Sequence, residues 1–195
     1  MIWAFVINNH MARSNYIQSV INATGGAKLS TDWYIEKIKE FGTPTSLDLI
    51  RDGKRQVKPF FGNLNMFVYG PKHAKTLPYY DTFPLVLPLE KYNNGFLGIN
   101  FHYLPIPLRV GLLDNLSRYA SNDKFDEETV LNVNFSAVKR IRAVKPTLHR
   151  YLAGFTKSHF RKIDADEFTI ATLLPVHKFK KAPDETVWSD SRRMI

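Results

Sequence analysis

Positive charge concentrates between residues 136 and 163, a stretch that has many Lys and Arg residues and no Asp or Glu. Such side chains bind phosphates, because each neutralised phosphate releases condensed counterions. Tyr151, Phe155 and Phe160 are interleaved with them, which favours base stacking on a single strand. The pattern predicts a nucleic-acid-binding surface formed by Lys139, Arg140, Arg142, Lys145, Arg150, Lys157, Arg161 and Lys162. The favoured interpretation of the same residues is a solvated or protein-facing surface that balances the acidic patch at residues 123–128.

Catalytic and metal-binding patterns are weak in this sequence. Its six histidines show no paired metal-ligand spacing. His102 could act as a general base with Tyr80 or Asp81 nearby, although a hydrogen-bonded structural histidine is the favoured interpretation. Residues 69–76 lack the glycine before Lys-Thr that a phosphate-binding loop requires. We therefore expect no catalytic residue, no bound metal and no cofactor, and a nuclease is the least favoured function.

The apolar segment at residues 77–89 is unusually rich in proline. Pro78, Pro84 and Pro88 cannot donate hydrogen bonds to a neighbouring strand, which predicts that the segment lies at a sheet edge. Such an edge is either covered inside the protein or used to bind a partner. In the second case Tyr79, Tyr80 and Phe83 are the candidate partner-binding residues.

Length and composition limit the class of protein. The chain has 195 residues, of which 44% are hydrophobic and 13% aromatic, with a formal net charge of +9 and no cysteine. The absence of cysteine excludes disulfides and thiolate zinc sites. No apolar run approaches the roughly 18 residues that a membrane-spanning helix needs. We expect one basic domain over residues 1–195, in which residues 1–10 are a peripheral strand or precede a true start at Met11, and residues 178–195 form a polar tail.

The elements that must position these residues are short. Residues 64–103 are rich in β-branched and aromatic side chains and are punctuated by Gly and Pro, which predicts strands at residues 64–69, 83–89 and 95–103. Asn94 and Gly95 are expected at the turn between the last two strands. In the last strand, alternation predicts one core face and one more polar face. The core face contains Leu97, Ile99, Phe101 and Tyr103, and the other contains Phe96, Gly98, Asn100 and His102.

Helical spacing predicts three helices in the first part of the chain, at residues 13–23, about 30–41 and 43–50. Further along, helices are predicted at residues 105–119, from the acidic patch to about Arg142, and from Pro146 to about Phe155. A late strand is predicted at residues 168–174. Together these elements predict an α+β fold in which a small, curved antiparallel sheet is flanked by helices.

Four segments resemble virion-associated proteins of T4-like tailed bacteriophages. They are Lys58-Pro-Phe-Phe-Gly62, the Pro-rich residues 77–86, residues 95–105 with Arg109 and Leu112-Leu113-Asp114 beyond them, and residues 185–192. The resemblance implies a structural part of the particle or a protein that acts on packaged DNA, such as one that protects DNA ends. It implies residence in the virion, and in the host cytoplasm during assembly.

From the sequence, the leading hypothesis is a non-enzymatic structural component of a tailed phage that works through contacts with other virion proteins. Its basic surface would face DNA or an acidic partner. The alternative is a DNA-binding protein of packaging or replication, including protection of DNA ends.

Overall fold

The computed structural model describes residues 55–195, without the side chains of Arg55, Asp166 and Ile170. Residues 1–10 and the three helices predicted before residue 51 lie outside the described residues. The described strands are β1 (Arg55–Gln56), β2 (Leu64–Met66), β3 (Tyr80–Asp81), β4 (Leu85–Tyr92), β5 (Gly95–Asn100), β6 (Leu148–Leu152), β7 (Phe160–Ile163) and β8 (Phe179–Lys180).

Four α-helices accompany these strands in the described range: α1 (Ile106–Ser117), α2 (Phe135–Val138), α3 (Phe168–Leu173) and α4 (Asp184–Met194). Helix α1 confirms the helix predicted at residues 105–119. It begins after Pro105 and has Pro107 in its first turn, where the missing N–H is not needed. The mixture of helices and strands confirms the predicted α+β class.

The strands form a six-stranded sheet in the order β1-β7-β2-β4-β5-β6 and a separate pair, β3-β8. All the strand pairs are antiparallel. Strands β4 and β5 form the predicted hairpin, although the turn residues are Asn93 and Asn94 and Gly95 already belongs to β5. A Cβ atom at Gly95 would lie 1.9 Å from the Tyr151 carbonyl oxygen, so this position of β5 requires glycine.

Apolar side chains cover both faces of the six-stranded sheet. Leucines and isoleucines of β2, β4, β5 and β7 pack with α1 and α3 in one cluster. The other cluster is aromatic and contains Phe67, Tyr69, Val86, Phe96, Tyr151 and Phe160. Ile99, Phe101 and Tyr103 are buried as predicted, whereas Leu97 is only half-buried. The prediction of a more polar opposite face is wrong, because Phe96, Asn100 and His102 are buried as well.

Residues 77–89 contain β3 and part of β4, and the prediction that they lie at a sheet edge holds only for part of the segment. Among the described residues, β3 pairs with β8 alone, as an edge strand does. Strand β4 lies between β2 and β5, and the prediction is wrong at Val86, which pairs with both of these strands. The prolines are tolerated for a local reason: Pro84 precedes the strand, and Pro88 lies at a register shift opposite Gly98, beyond the residues that pair with β2.

Three secondary-structure predictions in the second half of the chain are wrong. The helix from the acidic patch to Arg142 is reduced to α2, because Asp126 and Asn122 accept hydrogen bonds from Thr129 and neighbouring backbone N–H groups and hold a turn instead. The stretch from Pro146 to Phe155 contains strand β6, which pairs with β5. The predicted strand at residues 168–174 is helix α3, which buries Phe168 and Ala171 at helical spacing.

Candidate nucleic-acid interface

A buried carboxylate, Asp81, connects the segments that carry the candidate interface. Its Oδ2 lies 2.7 Å from Nδ1 of His102 and 3.4 Å from Nδ2 of Asn100. Its Oδ1 accepts hydrogen bonds from the backbone N–H groups of Phe83 (2.9 Å) and Lys178 (3.2 Å). These contacts tie the end of β3 to β5 and to the segment before β8. His102 is thus hydrogen-bonded within the fold, as the structural interpretation predicts, and Asp81 lies beside it, as the general-base interpretation also expects.

Burial alone would raise the pKa of the Asp81 carboxyl, but the hydrogen bonds from His102 and the two N–H groups hold that pKa below its usual range. Burial lowers the pKa of His102, and the positive charge of Arg109 lowers it further. The Asp81 carboxylate acts in the opposite direction and raises it. The pair is therefore a neutral imidazole that donates to an ionised carboxylate. The His102 ring is fully buried.

A second buried group, Arg109 of α1, joins the C-terminal elements to this network. Its Nε donates to the Leu104 carbonyl (2.7 Å), and its terminal nitrogens reach the carbonyls of His102 and Leu174 and Nδ1 of His177. The indole N–H of Trp188 in α4 also donates to the His102 carbonyl (2.9 Å). The expected polar tail is thus partly a helix that packs on the fold, with Val187 fully buried.

In front of Asp81 lies a cleft of about 470 Å³, which we call the Tyr103 cleft. Its inner wall contains Asp81, Asn100, Tyr103, His149 and Tyr151, and its outer part carries Lys72, His73, Lys145 and Arg150. The His149 and Tyr103 rings are 3.9 Å apart. Burial lowers the pKa of His149 to about 4, so the ring is neutral at pH 7. The outer part is therefore cationic and the wall aromatic.

A second, larger cleft of about 770 Å³ lies beside the β4–β5 hairpin, and we call it the Tyr92 cleft. Three of its lining side chains are lysines (Lys58, Lys91 and Lys157), and no Asp or Glu lines it among the described residues. Val57, Phe61 and Tyr92 also line it, with exposed fractions of 75%, 40% and 38%. These three are most of the large hydrophobic side chains that the described residues expose.

Arg150 connects the two clefts. It lines the Tyr103 cleft, and its guanidinium carbon lies 4.8 Å from the centre of the Tyr92 ring. One of its nitrogens donates to Oδ1 of Asn94 at 2.8 Å, which fixes the side chain on the hairpin turn. A cation of the Tyr103 cleft therefore lies over an aromatic ring of the Tyr92 cleft.

The basic residues predicted from the sequence lie in different environments. Lys139, Arg140, Arg142, Lys145, Arg150 and Lys157 are exposed. Of these, Lys145 and Arg150 line the Tyr103 cleft, and Lys157 lines the Tyr92 cleft. Arg161 is half-buried, and Lys162 is buried in an ion pair with Asp164 and a hydrogen bond to the Glu127 carbonyl. A role in DNA binding remains a prediction for the whole set.

The three candidate partner-binding residues also lie in different environments. Tyr79 and Tyr80 line the Tyr103 cleft. Phe83 packs against the main apolar cluster and has the Lys178 ammonium 5.8 Å from its ring centre. Of these three residues, only the two tyrosines therefore line the cleft that contains Lys145 and Arg150.

Sequence reasoning missed four residues of the Tyr92 cleft: Lys58, Phe61, Lys91 and Tyr92. Lys91 and Tyr92 lie at the end of β4, while Lys58 and Phe61 follow β1. The folded chain brings these two segments together with residues 156–160. A search for local charge density cannot find such a set, although the fragment Lys58-Pro-Phe-Phe-Gly62 belongs to the resemblance described above.

The described residues contain no group of three or more His, Asp or Glu side chains arranged to hold a metal ion. In the same range, no helix is both long and apolar enough to cross a membrane.

The fold and the two clefts define an α+β protein whose cationic and aromatic side chains suit a polyanionic ligand. Residues 4–191 match the family model described as phage T4 terminal DNA protecting protein, and the chain belongs to that family. The comparisons found no match among curated proteins or among solved structures. The family confirms the phage part of the resemblance, whereas association with the virion remains a prediction.

Proposed function

We propose that this protein binds the ends of linear phage DNA and shields them from exonucleases without cleaving or modifying the DNA. The supporting observation is the family match, which extends from residue 4 to residue 191. The family description favours DNA-end protection, the alternative from the sequence, over the leading hypothesis of a structural particle component.

The surface chemistry supports the same proposal. Six of the predicted cations are exposed, and three of these line the two clefts. Contacts to phosphates carry no sequence information, which suits a protein that must recognise an end whatever its sequence. Host cytoplasm during infection is the compartment in which such protection acts. No described feature favours contact with other virion proteins.

An exonuclease assay tests the proposal. Linear duplex DNA with the wild-type protein should be digested more slowly from its ends than DNA alone, while a restriction enzyme that cuts in the middle should work at its normal rate. Equal protection of the middle would indicate coating of the duplex, and undiminished digestion from the ends would overturn the proposal.

Charge variants connect this assay to the surface. The double variant Lys145→Gln/Arg150→Gln should lose protection of the ends. Lys124→Gln/Lys180→Gln removes the same charge from exposed positions that line neither cleft, and it should protect as the wild type does.

A further inference from the structure

We propose that the Tyr92 cleft binds unpaired nucleotides at a DNA terminus, with bases stacked on its aromatic side chains and phosphates held by its lysines. This proposal rests on the proposed function and adds the form of DNA end that the protein prefers. It predicts tighter binding to an end with a short single-stranded extension than to a blunt end.

The first argument is the composition of the cleft. Proteins that bind single strands without sequence preference combine a positive groove with exposed aromatic rings, because every base has a face that can stack. Lys58, Lys91 and Lys157 supply the charge, and Phe61 and Tyr92 supply rings that remain 40% and 38% exposed. Exposed apolar side chains concentrated at one place mark a binding surface.

The second argument is charge complementarity. No Asp or Glu lines the cleft among the described residues. Glu90, a carboxylate of β4 outside the cleft lining, accepts a hydrogen bond from the Tyr92 hydroxyl at 3.2 Å. An acidic ligand therefore meets lysines on the cleft surface, which favours a nucleic acid over a basic or neutral partner.

The third argument is the fixed position of the Tyr92 ring. Arg150 lies over the ring at 4.8 Å and is itself held by Asn94. The ring is thus held in place before a base arrives, and a preorganised surface lowers the entropic cost of binding. Because Arg150 also lines the Tyr103 cleft, a duplex contacted by the outer cations there could continue into a single strand in the Tyr92 cleft.

The test compares two fluorescent DNA duplexes, one blunt and one with a short thymidine extension. Wild-type protein should bind the extended duplex more tightly. Tyr92→Leu keeps an apolar side chain but removes the stacking ring, and it should weaken binding to the extended duplex by roughly 5- to 160-fold, the range for loss of one stacked base. The loss for the blunt duplex should be much smaller, because Arg150 keeps its hydrogen bond to Asn94. Tyr92→Phe should bind as the wild type does, and Val68→Ala, at an exposed residue that lines neither cleft, is the matched apolar control.

Lysine labelling of the wild-type protein gives a second measurement that needs no variant. The extended duplex should protect Lys58, Lys91 and Lys157 from an amine-reactive reagent, while Lys124 should react equally with and without DNA. Suppose that the wild-type protein binds and protects DNA ends, but binds both duplexes equally and leaves the three lysines reactive. This result would overturn the inference about the Tyr92 cleft and leave the proposed function standing. Failure to bind either duplex would overturn both.

Discussion

The guanidinium of Arg150 lies 4.8 Å from the centre of the Tyr92 ring, and this contact joins strand β6, which lines the Tyr103 cleft, to the β4–β5 hairpin, which lines both clefts. Arg150 belongs to the basic stretch that the sequence identifies, whereas Tyr92 belongs to a surface that only the fold creates. The pair joins the predicted part of the candidate interface to the part that sequence reasoning missed.

Salt dependence distinguishes phosphate contacts from a merely solvated basic surface. If Lys139, Arg140, Arg142, Lys145 and Arg150 contact phosphates, replacing them by Gln should lower the slope of log affinity against log salt by about one unit per lost contact. The loss should be equal for all DNA sequences. Lys124→Gln and Lys180→Gln should leave the slope close to that of the wild type. Equal losses from both sets would indicate attraction by net charge alone.

Asn100→Asp should destabilise the fold by about 3 kcal/mol or more, although Asn100 occupies the face of β5 that the sequence marks as more polar. The amide of Asn100 is fully buried and faces the Asp81 carboxylate, so the substitution places two carboxylates side by side. Denaturant unfolding measures the change. Ile99→Asp on the opposite face should cost several kcal/mol as well, and a cost near zero for Asn100→Asp would contradict the described network.

Arg109→Met should destabilise the protein by several kcal/mol, because the apolar side chain leaves the buried carbonyls of Leu104 and Leu174 without this donor. Arg109→Lys should rescue only part of this loss, since one ammonium cannot reproduce the planar arrangement of donors. Thermal unfolding of both variants checks the order. Equal stability of the lysine variant and the wild type would show that charge, rather than geometry, holds these elements together.

His149 should make the folded protein sensitive to mild acid. Its folded pKa is about 4 against an ordinary value of 6.5, so between these values the unfolded chain binds a proton that the folded chain does not. Stability is therefore unaffected above pH 6.5 and falls as the pH drops toward 4. His149→Gln should make the plot of unfolding free energy against pH shallower in this interval, by up to about 1.4 kcal/mol per pH unit. Parallel plots for the two proteins would show that His149 does not titrate as described.

Local sequence signals were sufficient where an element is stabilised by its own residues. Helix α1 has a proline in its first turn and leucines at helical spacing, and the β4–β5 hairpin has apolar strand residues before and after an Asn-Asn turn. Both elements were predicted because these signals are local. Alternation along β5 did not predict burial, because Gly98 to Tyr103 are all buried.

Elements that depend on distant partners were missed. Strand β7 carries Arg161 and Lys162 among its four residues, and it becomes a strand because β1 and β2 pair with it. Residues of α3 have high β-propensity, but packing against α1 selects the helix. The Tyr92 cleft is unpredictable for the same reason: Lys58 and Lys91 are far apart in sequence and come together only in the completed sheet.

Strand β7 lies between β1 and β2, two strands that are synthesised about a hundred residues earlier. In the nascent chain, the strand edges at Arg55 and Leu64 therefore stay unpaired on the side that β7 later occupies, until Arg161 and Ile163 have left the ribosome. During that interval the nascent chain exposes unpaired strand edges, which are prone to intermolecular association. Expression at low temperature or with a chaperone should consequently raise the yield of soluble protein more than any change at the finished surface.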